Sequence, residues 1–99
     1  MKESNIQKLV MCELSKHGLV FRTNSGMARA LTGNGFIKLL PEGFSDLIFL
    51  QSPGRLVFIE MKQLTGKQRE SQINFQKLVE NMGFEYKIVR QIDDLKSFL

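Results

Sequence analysis

Hydrophobic positions near the N-terminus follow a helical period. Ile6, Leu9, Val10 and Leu14 recur at intervals of one, three and four residues, which predicts an amphipathic helix over residues 3–17. A glycine follows directly, and helices often end at such a residue. The polar start of this helix does not resemble a signal peptide.

The rest of the chain alternates short apolar runs with turn residues and one longer helical pattern. In chain order the pattern predicts a strand over 19–24, a helical turn over 27–31, strands over 36–40, 47–50 and 56–59, a helix over 67–82, a strand over 84–90 and a short helix over 92–99. The order of the main elements, α-β-β-β-α-β, predicts an α/β fold in which helices flank a mixed β-sheet. With 99 residues, the chain (1–99) is expected to form a single domain.

Residues typical of helix caps flank the helix predicted over 67–82. Thr65 is a possible N-cap, and Gly83 is well placed just after the C-terminus. Gln72 lies three residues before Phe75 in the apolar stripe, so it should face inward near the start of the helix. A glutamine there is either a rim residue with its hydrogen bonds satisfied or part of a site.

A predicted hairpin in the middle of the chain brings charged residues together. Its loop, residues 51–54, contains a proline and a glycine between two apolar runs. The expected register places Asp46 opposite Ile59 or Glu60, where directly paired side chains are roughly 5 Å apart. Glu60 and Lys62 share one face of their strand, because side chains alternate. Asp46, Glu60 and Lys62 can therefore converge.

This convergence is typical of metal-assisted phosphodiester hydrolysis. Two adjacent carboxylates repel each other unless a cation lies between them, and Mg²⁺ is commonly held by one or two carboxylates. A neighbouring lysine can orient or deprotonate the attacking water, or offset charge on the transferring phosphate. The alternative interpretation is a strand that simply ends in solvated charges.

The same residues resemble a known family. Asp, a hairpin and Glu-x-Lys form the signature of the PD-(D/E)xK nuclease superfamily, and further motifs resemble its VRR-NUC family over nearly the whole chain. The matching segments are Arg22-Thr23-Asn24-Ser25-Gly26, Gly43-Phe44-Ser45-Asp46, Ile59-Glu60-Met61-Lys62 and Gln72. Ser45 stands where the family usually has proline, which stiffens the backbone but supplies no ligand.

The resemblance implies a restriction-endonuclease-like fold and a DNA endonuclease that depends on Mg²⁺ or Mn²⁺. Its metal ligands would be Asp46, Glu60 and the backbone carbonyl of Met61. Lys62 would position or activate the water, with support from Gln72. Glu3 would join the catalytic residues through a water molecule. From the sequence alone, Glu3 is equally well explained as a first-turn acid favoured by the helix dipole.

Basic and polar residues outside this constellation are candidates for contacts with the DNA backbone. They are Arg22, Asn24, Arg29, Lys38, Lys67 and Arg69. Such contacts position DNA without reading its bases, and no base-reading motif is evident. Selectivity for DNA structure is therefore expected. The resemblance implies branched DNA, such as a four-way (Holliday) junction, cut by a homodimer.

Charge and cysteine content limit the possible binding partners and cellular compartments of the protein. The formal net charge of +4 and the pI near 9.5 favour a polyanionic partner. Cys12 is the only cysteine, so an intrachain disulfide is excluded and a reducing compartment is favoured. No apolar run approaches the ~18 residues of a membrane span, so no membrane association is expected. Together with the resemblance, this suggests the cytoplasm of a bacterial or phage-infected cell.

Two other function classes remain open from the sequence. One is a non-catalytic nucleic-acid-binding module that retains the nuclease fold. The other is a structural or inhibitory protein that dimerises through residues 25–42, whose secondary structure is the hardest to predict. Metal-dependent cleavage distinguishes a nuclease from both.

Overall fold

The computed structural model describes residues 3–23, 27–29, 36–38 and 40–99, and of residues 3, 4, 27–29 and 36–38 it describes the backbone only. In chain order the elements are α1 (Glu3–Leu14), β1 (Leu19–Arg22), β2 (Met27–Arg29), β3 (Phe36–Lys38), β4 (Leu47–Gln51), β5 (Arg55–Met61), α2 (Glu70–Asn81), β6 (Glu85–Val89) and a C-terminal 3₁₀-helix (Ile92–Ser97). Within these described residues, no helix has the length and apolar content needed to cross a membrane.

The main sheet has four strands in the order β1-β4-β5-β6. The first two pairs are antiparallel, and β5 and β6 are parallel. A parallel pair needs a long crossover, which α2 supplies. This mixed sheet with flanking helices confirms the predicted α/β fold. Leu47 pairs with Ile59, so continuing the register places Asp46 opposite Glu60.

The helical turn predicted over 27–31 is wrong. Residues Met27–Arg29 form β2, which pairs antiparallel with Phe36–Lys38 in a separate two-stranded sheet. The first turn of an isolated helix is costly to form, so five residues have little intrinsic tendency to stay helical. Pairing with a second strand instead satisfies the backbone hydrogen bonds.

Several element boundaries also differ from the prediction. The first helix ends at Leu14, and the next residues continue as tight turns up to Gly18. The second helix begins at Glu70, and its N-cap is Arg69, so Thr65 is not the cap. Residues 62–69 therefore form the connection between β5 and α2, and this connection carries Lys62, Lys67 and Arg69. Gly83 follows the helix with a φ of 93°, as predicted.

The two faces of the main sheet are covered by different helices. Along β5, Ile59 and Met61 face α1 and the C-terminal 3₁₀-helix, whereas Phe58 and Glu60 face α2. The larger core, on the α1 side, contains Val10, Leu14, Leu47, Phe49, Val57, Ile59, Met61, Val89, Leu95 and Phe98. Glu60 thus lies on the face that α2 covers.

Aromatic rings fill the space beside Glu60 on the α2 face. The ring centroids of Phe44 and Phe75 are 4.7 Å apart, and Phe58 lies 5.3 Å from Phe75 in an edge-to-face arrangement. Phe58 precedes Glu60 by two residues on the same face, and Phe75 follows Gln72 by one helical turn. The aromatic cluster therefore helps to exclude water from the side of Glu60 that points towards the core.

Candidate active site

Asp46 is held from two sides at the start of β4. Its side-chain Oδ2 accepts a hydrogen bond of 2.8 Å from the backbone N–H of Met61. Its backbone carbonyl accepts a 3.0 Å bond from the N–H of Thr23, which extends the β1–β4 pairing by one residue. The hydroxyl of Thr23 also donates to the carbonyl of Ser45 at 2.7 Å. These contacts fix both the backbone and the carboxylate of Asp46.

Gly43 brings the segment before Asp46 against the first turn of α2. It has a φ of +80°, which L side chains rarely adopt. A Cβ atom at this position would lie 2.1 Å from the carbonyl oxygen of Ser71 and 2.8 Å from the backbone nitrogen of Gln72. Only glycine allows this close approach, which brings the chain leading into Asp46 against the turn that carries Gln72.

We expect Gly43→Ala to lower the free energy of unfolding by about 2–4 kcal/mol, because it combines backbone strain with a clash against α2. Gly83→Ala is the matched control, since Gly83 also has a positive φ but a Cβ there would meet nothing within 4 Å. That control should cost only about 1–2 kcal/mol. Urea denaturation of both variants measures the difference, and equal losses would contradict a tight contact at Gly43.

Glu60 is a buried carboxylate with one unsatisfied oxygen. Its residue is 2% exposed, and Oε1 accepts a 2.9 Å hydrogen bond from Nε2 of Gln72. Oε2 is buried and has no hydrogen-bond partner among the described residues. Burial, followed by the nearby carboxylate of Asp46, raises the pKa of Glu60 to about 8. The positive charges of Lys62 and Arg69 oppose this rise.

Gln72 links the start of α2 to Glu60. Its side-chain Oε1 accepts a 2.8 Å bond from the backbone N–H of Arg69, the N-cap of α2. Its amide nitrogen must then point the other way, towards Glu60. The inward orientation predicted for Gln72 is therefore observed, with the residue 4% exposed. A single side chain both caps the helix and orients the carboxylate.

Comparisons with known proteins point to one fold. No protein-family model matches the chain, and no curated protein matches it. A solved structure described as a VRR_NUC domain is similar at a TM-score of 0.71, covering 96% of this chain and 90% of that chain, with 18% sequence identity. The chain has the VRR_NUC fold. The resemblance found in the sequence motifs is thereby confirmed at the level of the fold.

Within this VRR_NUC fold, the carboxylate pair fits a divalent cation. The buried, unpartnered Oε2 of Glu60 lies beside a second carboxylate, that of Asp46, and hard cations prefer oxygen ligands. The N–H of Met61 points to Asp46, and in a strand the carbonyl of the same residue points to the same side. Among the described residues, no group of three or more His, Cys, Asp or Glu side chains could hold a metal ion.

Three basic residues lie along the connection from β5 to α2. Lys62 is half-buried, directly follows β5, and is anchored by a 3.0 Å bond from its backbone N–H to the carbonyl of Val89. Lys67 and Arg69 are exposed. Lys62 follows Glu60 by two residues, and Arg69 is the N-cap of the helix that carries Gln72, so both lie near the carboxylate pair.

Arg22 is not brought to the carboxylate pair. It pairs with Leu47, which points towards the α1 side of the sheet. Directly paired residues share a face, so Arg22 extends from the face opposite Glu60. Its side chain is exposed at the edge strand β1.

The remaining predicted site residues lie partly or wholly outside the described residues. Asn24 is not described. Arg29 and Lys38 occupy β2 and β3, but their side chains are outside the description, as is that of Glu3 in the first turn of α1. Their proposed roles stay predictions.

The structure adds two polar residues for which the motifs gave no role. Thr23 anchors Asp46 through its backbone N–H and the preceding Ser45 through its hydroxyl. Gln68 donates from Nε2 to the Tyr86 hydroxyl at 3.3 Å and to Oε1 of Gln76 at 3.0 Å, which holds the end of the connection before α2. Thr23 lies beside Asp46 because β1 pairs with β4, and no local pattern indicates this pairing or the contacts of Gln68.

Proposed function

We propose that this protein is a Mg²⁺- or Mn²⁺-dependent endonuclease that hydrolyses phosphodiester bonds in DNA. The observation that carries the proposal is the buried, unpartnered Oε2 of Glu60 beside Asp46. A buried carboxyl group beside a second carboxylate is unfavourable for stability, so this arrangement favours a functional role. The VRR_NUC fold supports the same interpretation.

The cation would be held by Asp46, Glu60 and the backbone carbonyl of Met61. When bound, it would polarise the phosphate and make a water molecule more acidic. The protein prepares this site by fixing Asp46 through the N–H of Met61 and Glu60 through the amide of Gln72. Both carboxylates are therefore oriented without reorganisation at the time of reaction.

Lys62 would supply the positive charge next to this pair. Its ammonium group can hold the attacking water by a hydrogen bond or stabilise charge that develops on the phosphate. The exposed Lys67 and Arg69 would bind neighbouring phosphates of the DNA strand, with Arg69 at the N-cap of α2. These contacts carry no sequence information.

The proposed substrate is branched DNA such as a four-way junction, and the proposed active form is a homodimer. The exposed apolar side chains of Leu19 (59%) and Phe21 (41%) on the edge strand β1 support contact with a second copy. The proposed setting is the cytoplasm of a bacterial or phage-infected cell, where the free, exposed Cys12 stays reduced.

A non-catalytic DNA-binding module is the second candidate. The observation in its favour is that Lys67 and Arg69 are exposed and could bind DNA phosphates without a metal ion. Such a module would bind DNA with strong salt dependence but leave it intact.

The test is cleavage of labelled linear duplex, single strand, splayed arm and four-way junction with Mg²⁺, Mn²⁺ or EDTA. We expect cleavage only with metal and fastest on the junction. Lys62→Ala should slow it by about 10²–10³-fold, because a charge next to the reacting phosphate is lost. Lys77→Ala, an exposed lysine of α2, is the matched control and should cleave like wild type.

The outcomes separate the parts of the proposal. Cleavage of all four substrates at equal rates would support the chemistry and reject the selectivity for branched DNA. Tight, salt-sensitive binding without cleavage under any metal would favour the binding module. Cleavage that persists in Lys62→Ala would remove Lys62 from the proposed machinery.

A further inference from the structure

The connection between β5 and α2 carries basic residues of the proposed active site at both ends. We call residues 62–69 the site loop. Lys62 is its first residue and Arg69 its last, directly before the turn that bears Gln72. Any movement of the site loop therefore changes the distance from these charges to the carboxylate pair.

The guanidinium of Arg90 binds the site loop through three backbone carbonyls. Its Nη1 donates to the carbonyl oxygens of Gln63 and Gly66 at 2.6 Å each, with a longer contact of 3.4 Å to that of Leu64. These three acceptors lie within the first five residues of the site loop. The Arg90 side chain thus binds the backbone of the site loop just after Lys62.

Arg90 is itself held in place. Its backbone N–H donates to Oδ2 of Asp94 at 2.8 Å, which ties it to the C-terminal 3₁₀-helix. The preceding residue, Val89, accepts the 3.0 Å bond from the N–H of Lys62. The end of β6 therefore contacts Lys62 through its backbone and the following residues through the Arg90 side chain.

The site loop has little other support in its first half. Gln63, Leu64 and Thr65 are exposed, and the backbone bond from Gly66 to Gln63, of 3.0 Å, closes a single turn. Exposed loop backbone that is not held by side chains samples many conformations. Both short bonds come from a single guanidinium nitrogen, Nη1, whose two N–H groups match the carbonyls of Gln63 and Gly66.

We propose that Arg90 is a positioning residue that holds Lys62 in a productive orientation by clamping residues 63–66. This inference rests on the proposed nuclease function. It assigns Arg90 no contact with DNA or with a metal ion. Its effect passes through the site loop to Lys62, while Asp46 and Glu60 depend on contacts outside the clamped segment.

The test compares Arg90→Ala, Arg90→Lys and Arg55→Ala in metal-dependent cleavage of the best substrate. Arg55 is the matched control, because it is also partly buried, but it lies at the opposite end of β5 and pairs there with Glu85. Arg90→Ala should lower kcat by about 10²-fold, as expected for a misplaced reacting group. Arg90→Lys should recover part of this loss, and Arg55→Ala should keep the wild-type kcat.

Three further measurements separate positioning from a general loss of structure. The dissociation constant of Mn²⁺ in Arg90→Ala should stay within about threefold of wild type, since the carboxylate pair is not clamped by Arg90. Amide hydrogen exchange should accelerate in residues 63–66 and stay unchanged in the core strands. Low concentrations of free guanidinium should restore part of the kcat of Arg90→Ala.

Each result decides between the proposals. An active wild type together with wild-type kcat in Arg90→Ala would overturn the positioning role and leave the nuclease function intact. Parallel loss of kcat, Mn²⁺ affinity and core protection, without recovery in Arg90→Lys, would show a merely structural role. Absence of cleavage by wild type with every metal would overturn both the nuclease function and the role of Arg90.

Discussion

Glu60→Gln is expected to reduce DNA cleavage by about 10²–10³-fold or more, because it removes charge from the oxygen pair proposed to bind the cation. The substitution keeps the shape of the side chain. A glutamine at this position can still accept the hydrogen bond from Nε2 of Gln72 through its own carbonyl oxygen. The folded structure should therefore survive, so the loss can be assigned to chemistry.

Calorimetric titration with Mn²⁺ measures how Glu60→Gln changes metal binding when no DNA is present. Wild type should bind Mn²⁺, and Glu60→Gln should bind it at least about 10-fold more weakly, since divalent oxygen-ligand sites depend on ligand charge. Glu85→Gln is the matched control: Glu85 also lies on the main sheet and pairs with Arg55 far from the site. Unchanged Mn²⁺ affinity in Glu60→Gln would contradict a metal site at the carboxylate pair.

The hairpin shows why part of this site could be predicted from the sequence. Two apolar runs around a proline and a glycine define antiparallel strands, and the loop length then limits the register to one or two choices. The structure selects the pairing of Asp46 with Glu60 over that with Ile59. The local sequence was sufficient because both strands and their turn are contiguous in the chain.

The start of α2 could not be predicted in the same way. Thr65 has the side chain of a typical N-cap, yet the helix begins five residues later, after Arg69. The position is set by Gln72, which accepts the N–H of Arg69 while it donates to Glu60. A contact between residues on different elements, which no local propensity encodes, therefore overrides a local cap signal.

The face of β1 that carries Arg22 also depends on a partner strand. The alternation along residues 19–24 predicts that Arg22 and Phe21 point to opposite faces, but it does not say which face is which. Pairing of Arg22 with Leu47 places it on the α1 side, away from Glu60. The face to which a side chain of an edge strand points depends on how that strand pairs in the fold. The motif alone therefore does not determine it.

The metal-free protein is expected to lose stability as the pH rises from about 5 to about 9. The reason is Glu60, whose pKa is raised from 4.5 to about 8 in the folded protein by burial and by the carboxylate of Asp46. Between these two values the folded state binds a proton that the unfolded state does not bind. The free energy of unfolding therefore falls with increasing pH. The contribution is fully present below the unfolded pKa and is lost as the pH passes the folded pKa.

The difference between the pKa of Glu60 in the unfolded and the folded protein gives the size of this loss of stability. One pKa unit corresponds to about 1.4 kcal/mol, so the contribution of Glu60 should fall by about 2–3 kcal/mol between about pH 6 and about pH 9. Urea denaturation in EDTA at several pH values measures it. Glu60→Gln cannot ionise at this position, so its stability should change less over the same range and should exceed that of wild type at the alkaline end.

Glu60→Gln thus has two opposite expected effects: weaker cleavage and, at alkaline pH without metal, a more stable fold. Both follow from one structural feature, the buried oxygen that has no partner among the described residues. A group retained for packing alone would not be expected to destabilise the fold when ionised and also to be needed for cleavage. Equal pH dependence of stability in wild type and Glu60→Gln would contradict the raised pKa. It would also imply that water reaches Glu60 and satisfies its charge.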